Sequence, residues 1–342
     1  MFEWPPKLQL AQTPTPITRL ERFSTQFDDV TVWVKHDELT GMEVSGNKIR
    51  KLEFSIAQAL EDGCDTLITC GGVQSNHCRT TAVLGARLGL KVHLILRGEK
   101  PEEPDGNLML DYLAGAQISY LPLKLWSSHA AFASELQNSY VNQGHKACFI
   151  PVGASDEVGL WGYVAACKEL KQDFENLGIC PDYIVTATGS GGTQGGLIAG
   201  KALMGLHAEI AAFNVCDDAD YFERKIRSDL ILWRERYNVD IDVLELPINT
   251  IDGYVGPGYG KAGPEVFAII AELARSEGLF LDPVYTGKAF HGMVSELKMA
   301  QKGQPTRLPA AKNILFIHTG GLFGVFPQKQ NFDFCNGNDL AP

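Results

Sequence analysis

Short apolar runs of strand length alternate with segments of helical period along most of this chain. That alternation restricts its fold more than any other feature. Residues 31–35, 66–70, 92–96, 117–121, 147–150, 183–187, 209–215 and 313–317 read as strands. Between them, helical patterns cover 48–60, the segment ending near 88, 108–113, 130–141, 161–177, 221–237, 266–276 and the segment ending near 301. Strands separated by helices pair in parallel, because each helix carries the chain back across a sheet face. The class expected is therefore α/β, with mostly parallel, twisted sheets covered on both faces. Residues 20–27 read as a short helix, 249–263 as a Gly-rich loop, and the stretch after Pro327 as a loose polar tail.

Bulk properties narrow the function. A length of 342 residues suits about two domains. The formal net charge of −11 argues against nucleic acid or an anionic membrane as the main partner, since both select basic surfaces. No apolar run approaches the roughly 18 residues of a membrane span. The opening residues carry neither a basic region nor an apolar core of a secretory signal. The eight cysteines form no C-x-x-C pair, so reduced thiols of a cytoplasmic protein are expected, with no disulfide frame and no metal site.

Four loops that are read as following strands concentrate polar and glycine residues: 70–77, 188–196, 282–287 and 318–321. The carboxyl edge of a parallel sheet is where ligands bind. In 188–196, glycines expose backbone N–H groups, Ser190 and Thr193 add hydroxyls, and a helix follows. That loop is the best phosphate candidate; the plain alternative is a tight turn. A dinucleotide fingerprint fails at Gln194, and Ala202 stands where a nucleotide loop needs a hydroxyl. Gln74, Ser75, Asn76 and His77 gather polar groups at another helix start, although Ser75 could simply be a cap. Tyr259 and Tyr285 could present phenols to a cleft or merely pack, and Thr286 and Thr319 could be simple caps. Asp37 and Glu38 read as a solvated loop pair without a role.

The stretch 45–51 places Lys48, Arg50 and Lys51 at the entrance of a helix, where the backbone dipole is already positive. An anion would answer that charge, and so would a carbonyl that condenses with a lysine. The residue pattern leaves Lys48 and Lys51 equally eligible.

Six blocks, in order, resemble the D-cysteine desulfhydrase and 1-aminocyclopropane-1-carboxylate (ACC) deaminase family. They are Ser45-Gly46-Asn47-Lys48-Ile49-Arg50-Lys51, Gly72-Val73-Gln74-Ser75-Asn76-His77, Gly189-Ser190-Gly191-Gly192-Thr193, Pro257-Gly258-Tyr259-Gly260, Asp282-Pro283-Val284-Tyr285-Thr286-Gly287-Lys288 and His318-Thr319-Gly320-Gly321. The resemblance implies a pyridoxal 5'-phosphate enzyme of the tryptophan-synthase-β-like fold, with two three-layer α/β/α domains. Residues 1–51 and 157–342 would form the large domain, and 52–156 a smaller inserted one that closes over substrate. The resemblance also chooses between the lysines: Lys48 would hold the cofactor and Lys51 would contact its phosphate. Ser190, Gly191, Gly192 and Thr193 would form the phosphate cup, and Asn76 would face the ring's phenolic oxygen. Ser75, with Gln74 and His77, would hold the substrate carboxylate or assist proton transfer; Tyr259 and Tyr285 would line the substrate side. Lys48, Ser75 or a tyrosine would remove the α-proton.

The two branches of the family differ at the ring nitrogen. The ACC deaminase branch carries Glu where this chain has Thr286, and Leu where it has Thr319. A hydroxyl donor leaves the pyridine less electron-poor than a carboxylate would. The resemblance therefore implies α,β-elimination of D-cysteine to pyruvate, ammonia and hydrogen sulfide. ACC, L-cysteate and β-chloro-D-alanine are the alternative substrates, and a cofactor-binding protein without turnover is the alternative of another class. A homodimer is expected.

Overall fold

A computed structural model describes residues 3–334. The strands in chain order are β1 (Ile17–Arg19), β2 (Thr31–Lys35), β3 (Thr66–Gly72), β4 (Lys91–Arg97), β5 (Gln117–Leu121), β6 (Ala147–Ile150), β7 (Tyr183–Thr188), β8 (Glu209–Asn214), β9 (Asn249–Ile251) and β10 (Asn313–Ile317). The helices are α1 (Asn47–Glu61), α2 (Asn76–Leu88), α3 (Gly106–Leu113), α4 (His129–Asn142), α5 (Trp161–Leu177), α6 (Gly192–Met204), α7 (Ala219–Tyr237), α8 (Pro264–Glu277) and α9 (Thr286–Gln301). Two sheets result. One has six strands in the order β1-β2-β10-β7-β8-β9, antiparallel only between β1 and β2; the other has four parallel strands in the order β5-β4-β3-β6. No helix among the described residues is long and apolar enough to cross a membrane.

The period-two alternation of strand side chains builds a core on each sheet face. Val185 and Ala187 of β7, with Ile314 and Phe316 of β10, pack beneath α8 and α9. Ile184, Leu315 and Ile317 point the other way, against α5, α6 and α7. In the smaller sheet, Leu67, Val92, Leu94 and Leu96 meet α2, while Ile68, Cys70 and Ile95 meet α4. Helix α1 bridges the two units: Ile49, Leu52 and Ile56 join the core of the smaller sheet, and Phe54 joins a core of the larger one.

Several expectations are corrected. Residues 20–27 hold only a single 3-10 turn, Ser24–Gln26. The short edge strands β1 and β9 carry too few residues for a legible pattern. No strand precedes 282–287; residues 278–285 form an irregular link between α8 and α9. Asp37 is buried rather than solvated. Residues 335–342 of the tail, with Cys335, lie outside the described residues.

Asp111 of α3 is fully buried, and neither carboxylate oxygen has a hydrogen-bond partner. Burial pushes its pKa up to about 8, against the pull of nearby Arg79. The folded carboxyl then keeps its proton up to that pH, while the unfolded chain releases it near 4. The folded state binds more protons in between, so this group's contribution to stability falls as pH rises from about 4 to about 8. Asp111→Asn is expected to gain at least about 2 kcal/mol more at pH 8.5 than at pH 5. Urea titrations of both proteins at both pH values check this, and equal gains would count against it.

Candidate active site

Strand order reverses at β3 in the smaller sheet and between β7 and β10 in the larger one. Loops leaving such a point diverge and open a crevice at the carboxyl edge. Here the crevices of both sheets face one cavity of about 610 Å³. Its lining includes Ser75, Asn76 and His77 from the smaller unit and Ser190, Gly191, Thr193 and Thr319 from the larger. The volume suits a small cofactor with a small substrate.

Lys48 enters this cavity from the first turn of α1. Two glycines make that position reachable. Gly46 has φ +111°, and a Cβ on it would lie 2.6 Å from the Thr319 carbonyl oxygen; Gly320 has φ +85°, and its Cβ would lie 2.7 Å from Gly46 Cα. The two loops therefore touch backbone to backbone, and Asn47 N–H donates to Thr319 O at 3.2 Å. Lys48 Nζ donates to Asn47 Oδ1 at 2.8 Å and lies 5.7 Å from the centre of the Tyr285 ring. Burial lowers its pKa to about 8, with Asp282 opposing the shift. A substantial share of the amine is therefore neutral and nucleophilic near physiological pH.

The start of α6 forms a cationic cradle. Its first N–H groups have no partners within the helix. Gly192 N–H donates to Ser155 Oγ at 3.1 Å, and that oxygen lies 2.8 Å from Ser190 Oγ. Lys51 Nζ donates to Ser155 Oγ at 3.2 Å, and Lys225 Nζ to Ser155 O at 3.1 Å. Burial holds Lys51 well below its ordinary pKa, and Lys48 adds to the depression. Asn47 ties cradle to lysine, since its Nδ2 donates to Thr193 Oγ1 at 2.9 Å.

On the opposite side, Tyr259 Oη and Tyr285 Oη are 2.6 Å apart. Burial raises both phenols, so they stay protonated and can donate. Ser75 caps α2 by accepting from Cys78 N–H. Asn76 Oδ1 accepts from Asn107 Nδ2, which leaves the Asn76 amide N–H₂ as the end available to a ligand.

Residues 8–320 match the model of a family described as pyridoxal-phosphate dependent enzyme. The chain belongs to that family. It is 39% identical over 341 residues to the bifunctional D-cysteine desulfhydrase/1-aminocyclopropane-1-carboxylate deaminase, mitochondrial, of Arabidopsis thaliana, covering 96% of this chain and 81% of that one. It is 34% identical to a D-cysteine desulfhydrase of Klebsiella pneumoniae, covering 94% of this chain and 95% of the relative. A solved structure described as an ACC deaminase homologue superposes with a TM-score of 0.84 at 34% identity, over 95% of each chain. The tryptophan-synthase-β-like fold read from the sequence stands.

The cavity of this pyridoxal-phosphate enzyme fits its cofactor. Thr188 Oγ1 and His77 Nδ1 are buried polar atoms without partners, and both residues line the cavity. A half-buried lysine whose pKa is lowered to about 8 stands beside a cationic helix start, which is the donor set an aldehyde and a phosphate dianion require.

Thr286 and Gln74, read from the sequence as site residues, do not line the cavity, and His77 lines it in another role than carboxylate binding. Thr286 is fully buried and does not line the cavity; its hydroxyl donates to Asp282 Oδ1 at 2.7 Å and accepts from Asp282 N–H. It fixes the start of α9, so of the two threonines Thr286 and Thr319 it is Thr319 that lines the cavity. Gln74 turns outward, its amide bonded to Asp105 O and Asn107 N–H, and so holds the 73–75 loop against α3. His77 cannot hold a carboxylate. Thr69 Oγ1 donates to Ile150 O and therefore accepts from His77 Nε2, so this network assigns the ring's proton to Nε2 and leaves Nδ1 an acceptor. Burial lowers the His77 pKa well below 6.5, so the ring stays neutral. Lys51 and Gly192 lie one layer behind the cavity surface, against Ser155.

Asn47, Ser155, Lys225 and Arg97 were not anticipated. Asn47 lies inside the lysine block and was legible there. Ser155, Lys225 and Arg97 arrive from three separate elements in contexts without local signature.

Proposed function

We propose that this enzyme is a lyase of small amino acids that eliminates sulfide from D-cysteine, giving pyruvate, ammonia and hydrogen sulfide. The observation that carries the reading is the half-buried Lys48 amine facing the hydrogen-bonded Tyr259–Tyr285 pair. Relatives named for D-cysteine desulfhydrase and ACC deaminase activities support the choice of reactions. When bound, pyridoxal phosphate supplies a carbonyl for the substrate amine and a ring that draws electrons from the α-carbon.

The chain's residues divide the remaining work. Lys48, Thr193 and the α6 start would hold the cofactor, with Lys51 and Lys225 neutralising the phosphate. Asn76 would donate to the ring's phenolic oxygen, and the Ser75 end of α2 would receive the substrate carboxylate. Lys48 Nζ, near neutrality, is suited to take and return the α-proton. The protonated phenols are suited to donate to a departing thiolate. Residues 52–156 would close over the substrate and exclude water. A cytoplasmic homodimer completes the reading.

Thr319 favours elimination over ring opening. A threonine hydroxyl can donate to the ring nitrogen without protonating it, which gives a weaker electron sink than a carboxylate partner. That suffices for a thiolate leaving group; an unactivated cyclopropane demands more. Holoenzyme given D-cysteine, L-cysteine, ACC, β-chloro-D-alanine and L-cysteate is expected to release keto acid from D-cysteine at least about tenfold faster than from ACC, a barrier difference of about 1.4 kcal/mol. Faster turnover of ACC would reverse the assignment. Cofactor-loaded protein that releases no keto acid from any of them would be a binding protein.

A further inference from the structure

The 252–263 loop carries Tyr259 to the cavity on weak packing. No residue from Tyr254 to Ala262 is buried; Tyr259 and Ala262 reach the core only half-buried. Gly256, Gly258 and Gly260 have φ of +66°, +127° and +75°, and nothing lies within 4 Å of the Cβ positions of Gly258 and Gly260. Glycines in open space leave a chain many conformations. The ends of the loop are held, since Tyr254 Oη donates to Glu296 Oε1 of α9 at 2.7 Å and Gly263 leads into α8. Its middle is gripped by Lys288 of α9, whose Nζ donates to Val255 O at 2.7 Å and to Gly258 O at 2.8 Å.

Lys288 is fully buried and does not line the cavity. Burial lowers its pKa to about 8, with Asp282 opposing the shift, so at pH 7 the amine is still mostly charged. A buried cation must be answered, and here backbone carbonyls of the loop answer it. Lys288 stands three residues after Tyr285, in the first turn of α9. One helix start therefore presents one phenol and grips the loop that carries the other. The two hydroxyls meet at 2.6 Å. Tyr259 also meets the smaller unit: a Cβ on Gly72 would lie 3.3 Å from Tyr259 Cε1, and Arg97 Cζ lies 4.6 Å from the ring centre. A displacement of about 1 Å is enough to break a hydrogen bond as short as that between the phenols.

We infer that Lys288 is a positioning residue for Tyr259: it fastens the middle of the loop to α9 and so sets the two phenols against each other. This rests on the lyase reading for its effect on turnover, and on geometry alone for the loop. Without the ammonium, Val255 O would lose its donor, and Gly258 O would keep only the Lys261 N–H of its own loop. Tyr259 would then sample positions away from Tyr285, while Lys48, on α1, would keep its place. The fault falls on turnover and not on cofactor attachment.

The test uses holoenzyme of the wild type, Lys288→Met, Tyr259→Phe and the double variant. Lys261 is exposed in the same loop, so tryptic cleavage after it, followed by mass spectrometry, reports how often the loop opens. Lys288→Met is expected to be cut there about tenfold faster, with borohydride reduction still fixing the cofactor on Lys48. Its kcat on D-cysteine should fall about 30-fold, with KM changed by less than about threefold. Adding Lys288→Met to Tyr259→Phe should cost less than about threefold more, because the residue that Lys288 positions is already impaired. Equal losses in both backgrounds would overturn the proposal, since they would show Lys288 acting on packing at large. Unchanged cleavage after Lys261 would overturn it too. Where Lys288→Met does not fold, Lys288→Gln, which keeps N–H donors on a shorter neutral chain, carries the same comparisons. If the wild type does not turn over D-cysteine, the lyase reading fails and the Lys261 cleavage ratio alone decides Lys288.

Discussion

Lys48→Ala protein is expected to lose keto-acid formation by at least about four orders of magnitude. The substitution removes the lysine amine that stands against the Tyr285 ring and leaves Lys225, the other lysine of the lining, in place. Lys48 makes a hydrogen bond to its neighbour Asn47 and no ion pair among the described residues. Lys51 cannot replace it, because its Nζ is directed to Ser155 Oγ and lies 3.0 Å from the position of a Cβ on Gly192, behind the cradle. The measurement has two parts. Borohydride reduction of cofactor-saturated wild type should leave a pyridoxyl tag on the Lys48 peptide by mass spectrometry. The variant should keep its thermal stability and carry no tag. A tag on Lys51 in the wild type would overturn the assignment of roles to the two lysines.

Asp37→Ala is expected to cost about 3 kcal/mol of stability, although residue 37 lies outside the cavity. Asp37 is 1% exposed. Its Oδ1 accepts from Arg50 Nη2 at 2.7 Å and Thr15 Oγ1 at 2.9 Å, and its Oδ2 from Arg50 Nε at 2.9 Å and Tyr163 Oη at 2.6 Å. Four donors thus converge on one carboxylate, and the Arg50 fork is bidentate. Glu169 also accepts from Arg50 and from the Thr15 hydroxyl, so neither would be left wholly unpaired, but the buried Tyr163 hydroxyl would lose its acceptor. The damage should reach the site. Arg50 follows Lys48 by two residues on α1, and the Asp37 carbonyl accepts from Gly46 N–H. A fall in the urea midpoint at unchanged slope, with weaker cofactor retention, is the expected result. A variant as stable as the parent would show that the network is dispensable.

The error over Asp37 has a physical source. A carboxylate in a polar turn is normally solvated, and nothing within ten residues announces a buried partner. In the sequence, its partner Arg50 reads as part of a cation cluster awaiting an anion. The anion came from within the chain, thirteen residues upstream, once β2 and α1 folded together. Thr286 follows the same logic. Its place after Tyr285 suggested a side chain aimed at a ligand, but Asp282 four residues earlier takes its hydroxyl to start α9. Gln74 turned outward because Asp105 and Asn107, thirty residues on, offered a donor and an acceptor of the right spacing.

Much was local and so legible. The strands over 117–121, 147–150 and 313–317 and the helix over 161–177 are bounded in the structure as the apolar periods place them. Strand–helix alternation required parallel sheets, because a right-handed crossover is the way such a chain packs. The Gly, Ser, Thr and Asn residues clustered after β3, β7 and β10 line the cavity, whereas no strand precedes 282–287. Lys48 as cofactor lysine came from family likeness, since spacing alone left Lys51 equal to it.

Tertiary structure decided which polar groups face the cavity and which are consumed by one another. That depends on contacts between residues far apart in the chain: Lys51 with Ser155, Asn47 with Thr193, Arg97 between Trp126 and Tyr259. Hydrophobic period sets the face on which a side chain stands. Whether its charge or hydroxyl is left over for a ligand depends on the partner it meets, and sequence spacing carries no record of that meeting.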